Sequence, residues 1–149
     1  MHREIATEIV IDAPARIVWD ILVDFARYRE WNPYIPSLAG TARTGERVRF
    51  VFRLVPGVPV PACARVLDFV PPRELRWSGG VGGLLRAEHY MILEPLSESR
   101  VRFRHGEIFT GLLVPVAWRV ALARYGPAAY GNTNAALKRR AESISMERA

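Results

Sequence analysis

Two histidines and one carboxylate stand where apolar side chains are expected. Between Arg100 and Phe109, Val101, Phe103 and Phe109 alternate with arginines, and His105 and Glu107 fall on the apolar parity. A carboxylate aimed at the interior of a sheet is costly to ionise without a partner. The preceding run, Leu84 to Leu93, puts His89 on the same parity as Met91 and Leu93. If the two runs pair, His89, His105 and Glu107 form one inward cluster. Such a cluster could orient a ligand carbonyl or hydroxyl, or serve as acid and base for aldol-type cyclisation and dehydration. A purely structural polar network is the competing reading, and both stay open at this level.

Other features that could carry chemistry are weaker. Ser78-Gly79-Gly80-Val81-Gly82-Gly83 is glycine-rich but lacks the Lys-Ser/Thr of a phosphate loop and joins two strands, so it reads as a hairpin tip. Cys63 has no histidine near it in sequence, and no Gly-x-Ser-x-Gly elbow exists, which leaves covalent catalysis unsupported. The His and Cys spacing does not match a metal site, so neither metal nor cofactor is expected.

The elements that must position these residues follow from periodicity. Ile5, Thr7, Ile9 and Ile11 alternate over Glu4–Ile11 as a strand. Asp12 is placed to cap a helix over Pro14–Val23, where Ile17, Val18, Ile21 and Leu22 recur at three-to-four spacing. A second short helix over Asp24–Trp31 stops at Asn32-Pro33. Val48, Phe50, Phe52 and Leu54 then alternate with mostly arginine. The proline-rich stretch from Pro56 to Pro61 separates this strand from runs at Ala62–Phe69, Glu74–Ser78, Leu84–Leu93 and Arg100–Phe109. Short connections make these an antiparallel meander. The alternation of 62–69 admits two parities, Arg65, Leu67 and Phe69 or Val66, Asp68 and Val70, so the surroundings of Trp77 stay open. Beyond Gly111 the period turns helical, in segments around Pro115–Ala123 and Pro127–Ser145. The fold class is α+β, a curved antiparallel sheet with a long C-terminal helix on its concave face.

A chain of 149 residues, half of them hydrophobic, suits one domain spanning residues 1–149. The formal charge is +6, and 20 of the 21 basic residues are arginine. They are dispersed at alternating strand positions with no basic block, which argues for solvated outer faces and against a nucleic-acid partner. A lone cysteine excludes an internal disulfide framework. With no secretory pattern at the start of the chain, a reducing cytoplasm is the expected compartment. Leu112–Ala123, interrupted by Pro115 and Arg119, is too short to cross a bilayer, although Leu112, Leu113, Val114 and Trp118 beside Arg119 suit transient membrane contact. No signal sets an oligomeric state.

The order Ala13-Pro14, Val18-Trp19, Asp24, Tyr28, Trp31-Asn32-Pro33, Pro71-Pro72, Leu75, Trp77, His89, and Glu107, Phe109 and Gly111 spans nearly the whole chain. It resembles the START-like polyketide cyclase/dehydrase and lipid-transport superfamily. The resemblance implies a helix-grip fold, two short helices after the first strand, and a deep cavity between sheet and C-terminal helix. Members bind lipids, sterols, polyketides or plant hormones, and only some are enzymes, so the fold leaves function open.

Together these readings predict a small hydrophobic ligand, of lipid, quinone or aromatic polyketide type, held between sheet and helix. Phe50, Phe52 and Leu54 are expected as one wall and His89, Met91 and Leu93 as another. Phe103, His105, Glu107 and Phe109 form a third, with Trp77 contributing. Tyr130, Asn134 and Leu137 cover them from the helix, and Trp31 and Asn32 shape the entrance. Glu107, His89 and His105 are the polar anchors, and the catalytic residues if the protein is a cyclase or dehydrase.

Overall fold

The computed structural model describes residues 2–149. Seven antiparallel strands make one sheet in the order β1-β7-β6-β5-β4-β3-β2: β1 His2–Ile11, β2 Ser37–Gly40, β3 Arg47–Phe52, β4 Val60–Val70, β5 Glu74–Val81, β6 Leu85–Ser97 and β7 Arg100–Thr110. All but one connection joins neighbours in the sheet. The exception is the crossing from β1 to β2, which carries α1 (Ala15–Val23) and a 3-10 helix (Phe25–Glu30). A continuous helical run then closes the chain as α2 (Val114–Ala117), one π turn (Trp118–Leu122) and α3 (Ala123–Glu147). This is the helix-grip arrangement. Sheet and helix bury one contiguous core between them, including Val48, Leu75, Val101, Tyr130 and Leu137 at 0–1% exposure or less than a tenth exposed.

Several local expectations are corrected. Asp12 does not cap α1. The position before the helix is Pro14, without a side-chain cap, and Asp12 instead accepts from Arg100 Nε at 2.8 Å. The short strand β2 was not legible, because four residues with one buried side chain, Leu38, show no alternation. β4 begins at Val60, so Pro61 lies inside a strand, at its second position, where the ladder has barely begun.

The parity of 62–69 has a physical answer. Val66 pairs with Trp77 and Asp68 with Arg76, so Leu67 is an extra residue bulged out of the ladder. Ala64 and Val66 face inward before the bulge, and Phe69 packs on the core after it. Each candidate parity describes half of the strand.

The two predicted C-terminal helices are one run, helical through Gly126 and Pro127. A proline at that place removes one helical hydrogen bond. What holds the run together is close packing, since a Cβ at Gly126 would collide with the Ile5 side chain of β1. The inward positions Val114, Trp118, Leu122, Gly126, Tyr130 and Asn134 recur every four residues, longer than the 3.6 of an α-helix. A single π turn widens the helix locally and keeps that series on the sheet. Consequently Val114 is fully buried and Trp118 half-buried, so neither offers itself to a membrane. The exposed apolar side chains of this segment are Leu112, Leu113, Val116 and Val120.

Candidate functional site

The interior is divided into a packed end and an open end, with Trp77 as the partition. On one side of it the ring stacks on His89 at 4.9 Å and 16°. On the other it forms part of the wall of a cavity of about 320 Å³. The reason is side-chain size. Toward the cavity the strands present Ala62, Ala64, Gly79, Gly80 and Ala87, and the helix presents Ala117 and Ala121. Toward the other end they present Met91, Phe103, His105, Tyr130 and Leu137, which fill the space; the residual void there is about 10 Å³.

The two ends of the cavity wall are aromatic. Phe50 and Phe52 of β3, Trp77 of β5 and Phe109 of β7 contribute rings, and Tyr34 adds one from the loop before β2. The only carboxylate on the wall is Glu107. Its side chain retains 12% exposure, all that an otherwise buried carboxylate shows to the open end.

Glu107 is the terminus of a polar chain that crosses the packed end. Tyr130 Oη donates to Glu107 Oε2 at 2.8 Å, and His89 Nδ1 lies 3.5 Å from Glu107 Oε1. Register explains this closeness, because His89 on β6 stands directly opposite Glu107 on β7. His89 Nε2 meets His105 Nε2 at 2.9 Å, and His105 Nδ1 meets Asn134 Oδ1 at 2.7 Å. Asn134 Nδ2 donates to Thr7 Oγ1 at 2.8 Å, and Thr7 Oγ1 donates to the His105 carbonyl at 2.6 Å.

The direction of this chain follows from its last link. The Thr7 hydroxyl spends its proton on a carbonyl, so its oxygen must accept from the Asn134 amide nitrogen. Asn134 Oδ1 therefore faces His105, and His105 carries its proton on Nδ1. Burial and the neighbouring His89 hold His105 well below the ordinary histidine range, so its Nε2 is bare. His89 must then donate from Nε2, which leaves its Nδ1 directed at Glu107 and Tyr130. Tyr130 stays a phenol, because burial and the charge of Glu107 push its ionisation well above the usual tyrosine value. His89 Nδ1 and Glu107 Oε1 thus face each other at 3.5 Å at the edge of the cavity. That pair can donate to, or accept from, a polar group of a molecule in the cavity.

Sequence-predicted residues divide along the same partition. The structure brings Phe50, Phe52, Leu54, Trp77, Glu107 and Phe109 to the cavity. Met91, Leu93, Phe103 and Leu137 are packed in the closed end, where large neighbours leave no room. His89, His105, Tyr130 and Asn134 stand behind Glu107 as a relay and do not line the cavity. Trp31 and Asn32 are corrected most clearly. They lie at the closed end, where Asn32 Oδ1 accepts from the amides of Tyr34 and Ile35 at 3.0 and 2.8 Å and shapes a turn. Trp31 packs edge-on against Tyr28 at 5.0 Å. Both nitrogens of His105 are engaged, so it has no lone pair for a metal.

Sequence reasoning missed Tyr34, Thr7 and the small wall. Tyr34 and Thr7 gave no signal, being single polar-aromatic and β-branched residues in ordinary contexts. The alanines at 62, 64 and 87 and at 117 and 121 were a signal, since small residues at inward positions of both facing layers leave a void.

The family model for polyketide cyclase / dehydrase and lipid transport matches residues 2–142, and the chain belongs to that family. No curated protein matches it in sequence. Among solved structures, it is similar to a START superfamily protein from Mycobacterium smegmatis, at 17% identity and a TM-score of 0.76 over 97% of this chain and 99% of that one. It is also similar to the aromatase/cyclase Zhui from Streptomyces sp. R1128, at 17% identity and a TM-score of 0.64, over 97% of this chain and 88% of that one. A third likeness is to the di-domain ARO/CYC BexL, at 22% identity and a TM-score of 0.73 over 94% of this chain; it spans 46% of that longer chain. At these identities the likenesses establish the fold.

Proposed function

We propose that this protein binds one small, predominantly apolar molecule in the cavity between β3–β7 and the start of the C-terminal helix. The observation that carries the reading is a cavity of about 320 Å³ whose wall is aromatic and aliphatic apart from Cys63 and one carboxylate, Glu107, held by Tyr130 and faced by His89. That volume is at the lower end of the roughly 300–1,000 Å³ typical of small-molecule sites, which favours a compact ring system or short chain over a bulky lipid. Apolar burial supplies affinity, and Glu107 receives a hydroxyl or enol from the ligand.

A second reading is favoured by the His89–Glu107 pair specifically. An imidazole facing a carboxylate at 3.5 Å beside the cavity suits enolisation and loss of water from a poly-β-ketone, and two of the similar structures carry the names ARO/CYC and aromatase/cyclase. The carrier reading needs Glu107 only as an anchor, whereas this one needs its proton.

Native mass spectrometry of freshly purified protein, followed by solvent extraction, tests the binding reading. One apolar adduct per chain is expected. A chain that carries no adduct and does not take up an apolar fluorescent probe refutes it. Glu107→Gln separates the two readings, because the amide keeps a polar contact but cannot exchange a proton. Binding weakened by no more than about tenfold, the difference between a hydrogen bond to a charged group and one to a neutral group, marks a carrier. Loss of turnover on a poly-β-ketone with binding retained marks an enzyme.

A further inference from the structure

Among the described residues, eight of the eleven large hydrophobic side chains that remain exposed lie on three segments around the open end of the cavity. Leu112, Leu113, Val116 and Val120 come from the start of the C-terminal helix, with exposures from 46% to 78%. Val81 and Leu84 come from the β5–β6 hairpin, and Val58 and Val60 from the connection between β3 and β4. Single exposed apolar residues need no explanation, but such a concentration does. Two of these segments are physically joined, since the Leu112 amide donates to the Gly83 carbonyl at 3.2 Å and the Leu113 amide to the Leu84 carbonyl at 2.8 Å. Leu112 in the turn before α2, and Val116 and Val120 on the helix, follow one another at four-residue spacing and are exposed.

The charge around this rim has one sign. Residues 47–67, 75–87 and 108–141 contain no Asp or Glu, and these stretches supply every part of the rim. Arg53, Arg86, Arg119 and Arg124 are exposed there. None of the four makes an ion pair among the described residues. Of the other described arginines eight are ion-paired, as Arg76 is by Asp68, Glu74 and Glu88, and eight are not, so what sets the rim apart is that the segments forming it hold no Asp or Glu.

We infer that the rim is a docking surface for an anionic lipid bilayer, with the cavity mouth turned toward the membrane. Projecting aliphatic tips ringed by unpaired guanidinium groups match the layering of a bilayer, acyl chains inside and phosphate headgroups outside. A protein partner would favour a groove and aromatic anchors. The rim has no groove of its own, and its two rings, Trp118 and Tyr125, are half-buried, each beneath a guanidinium: Arg3 lies 5.6 Å from the Trp118 centroid and Arg124 5.3 Å from that of Tyr125. The surface stands on its own residues, whichever molecule the cavity takes.

Flotation of the intact chain with vesicles tests this. Vesicles of phosphatidylcholine with roughly one-third phosphatidylglycerol should carry the protein at low salt, pure phosphatidylcholine much less, and high salt should release it. The double substitutions Leu112→Glu with Val116→Glu, and Arg119→Glu with Arg124→Glu, should each weaken binding by at least about tenfold without lowering the melting temperature, because all four side chains are exposed. A wild-type chain that ignores the anionic vesicles, or variants that bind as it does, overturns the inference. So does a chain that ignores lipid but loses an acidic protein partner on the same substitutions, which reassigns the rim to protein. No cavity ligand enters the assay, so its failure leaves the cavity reading untouched, and failure of the cavity reading leaves the rim.

Discussion

Replacing His105 with Gln tests the directionality assigned to the buried chain, because it removes a titrating group while keeping one donor and one acceptor. In the folded protein His105 is enclosed by His89 of β6, Tyr130 and Asn134 of α3 and Thr7 of β1, and it is held neutral well below its ordinary value of 6.5. In the unfolded chain it titrates normally. As pH falls below 6.5 the unfolded state therefore takes up a proton that the folded state refuses, so stability present above that pH is lost on acidification. The cost from this residue alone is about 0.1 kcal/mol at about pH 7.5 and about 1.4 kcal/mol at about pH 5.5. Urea unfolding at the two pH values reads the difference. With a slope of about 1–3 kcal/mol per M, the wild-type midpoint should drop by about 0.4–1.3 M more than that of His105→Gln. The variant starts from a lower stability, but only the change with pH is compared, and carboxylates common to both chains cancel. Equal losses in the two proteins would show that His105 is protonated in the fold, and the tautomer assignment would fall with it.

Two further outcomes follow from the division of the interior. Ala121→Phe places a ring in the cavity opposite Phe50 and Phe109, and should reduce uptake of an apolar fluorescent probe by at least about tenfold while leaving the melting temperature level or higher, since it fills a void; undiminished uptake would move the binding site elsewhere. Gly126→Ala presses a methyl against the Cδ1 tip of Ile5, which must turn aside at about 0.5–1.5 kcal/mol against the roughly 1 kcal/mol that alanine gains over glycine inside a helix; calorimetry should show a net change within about 1 kcal/mol, whereas a loss above about 2 kcal/mol would mean that Ile5 cannot turn and the helix is lifted from β1.

Much of this protein was legible because its strands bury one face only. Alternation in 4–11, 47–54, 84–93 and 100–109 assigned inward parity to His89, His105 and Glu107, and consecutive short connections gave a meander with β6 beside β7. Parity and adjacency together were enough to foresee a Glu-His cluster. The 62–69 run resisted because a bulge at Leu67 changes parity midway, and no one-dimensional pattern can mark an inserted residue whose only sign is a shift in pairing. Pro115 and Pro127 made the C-terminal helix look interrupted, because local preference weighs a lost hydrogen bond and cannot weigh the sheet against which the helix lies.

The sequence by itself determined the class of fold, the inward face of β1, β3, β6 and β7 and the chemical character of the interior, since each depends on local periodicity. Tertiary structure decided where the empty space is. A void is a relation between layers: Ala117 and Ala121 on the helix leave a cavity only because Ala62, Ala64, Gly79, Gly80 and Ala87 face them across the sheet. It likewise decided that Trp77 divides the interior, that His89 and His105 stand behind Glu107 instead of beside it, and that Trp31 and Asn32 belong to the closed end. These outcomes depend on distances between residues far apart in the chain, and only folding sets those distances.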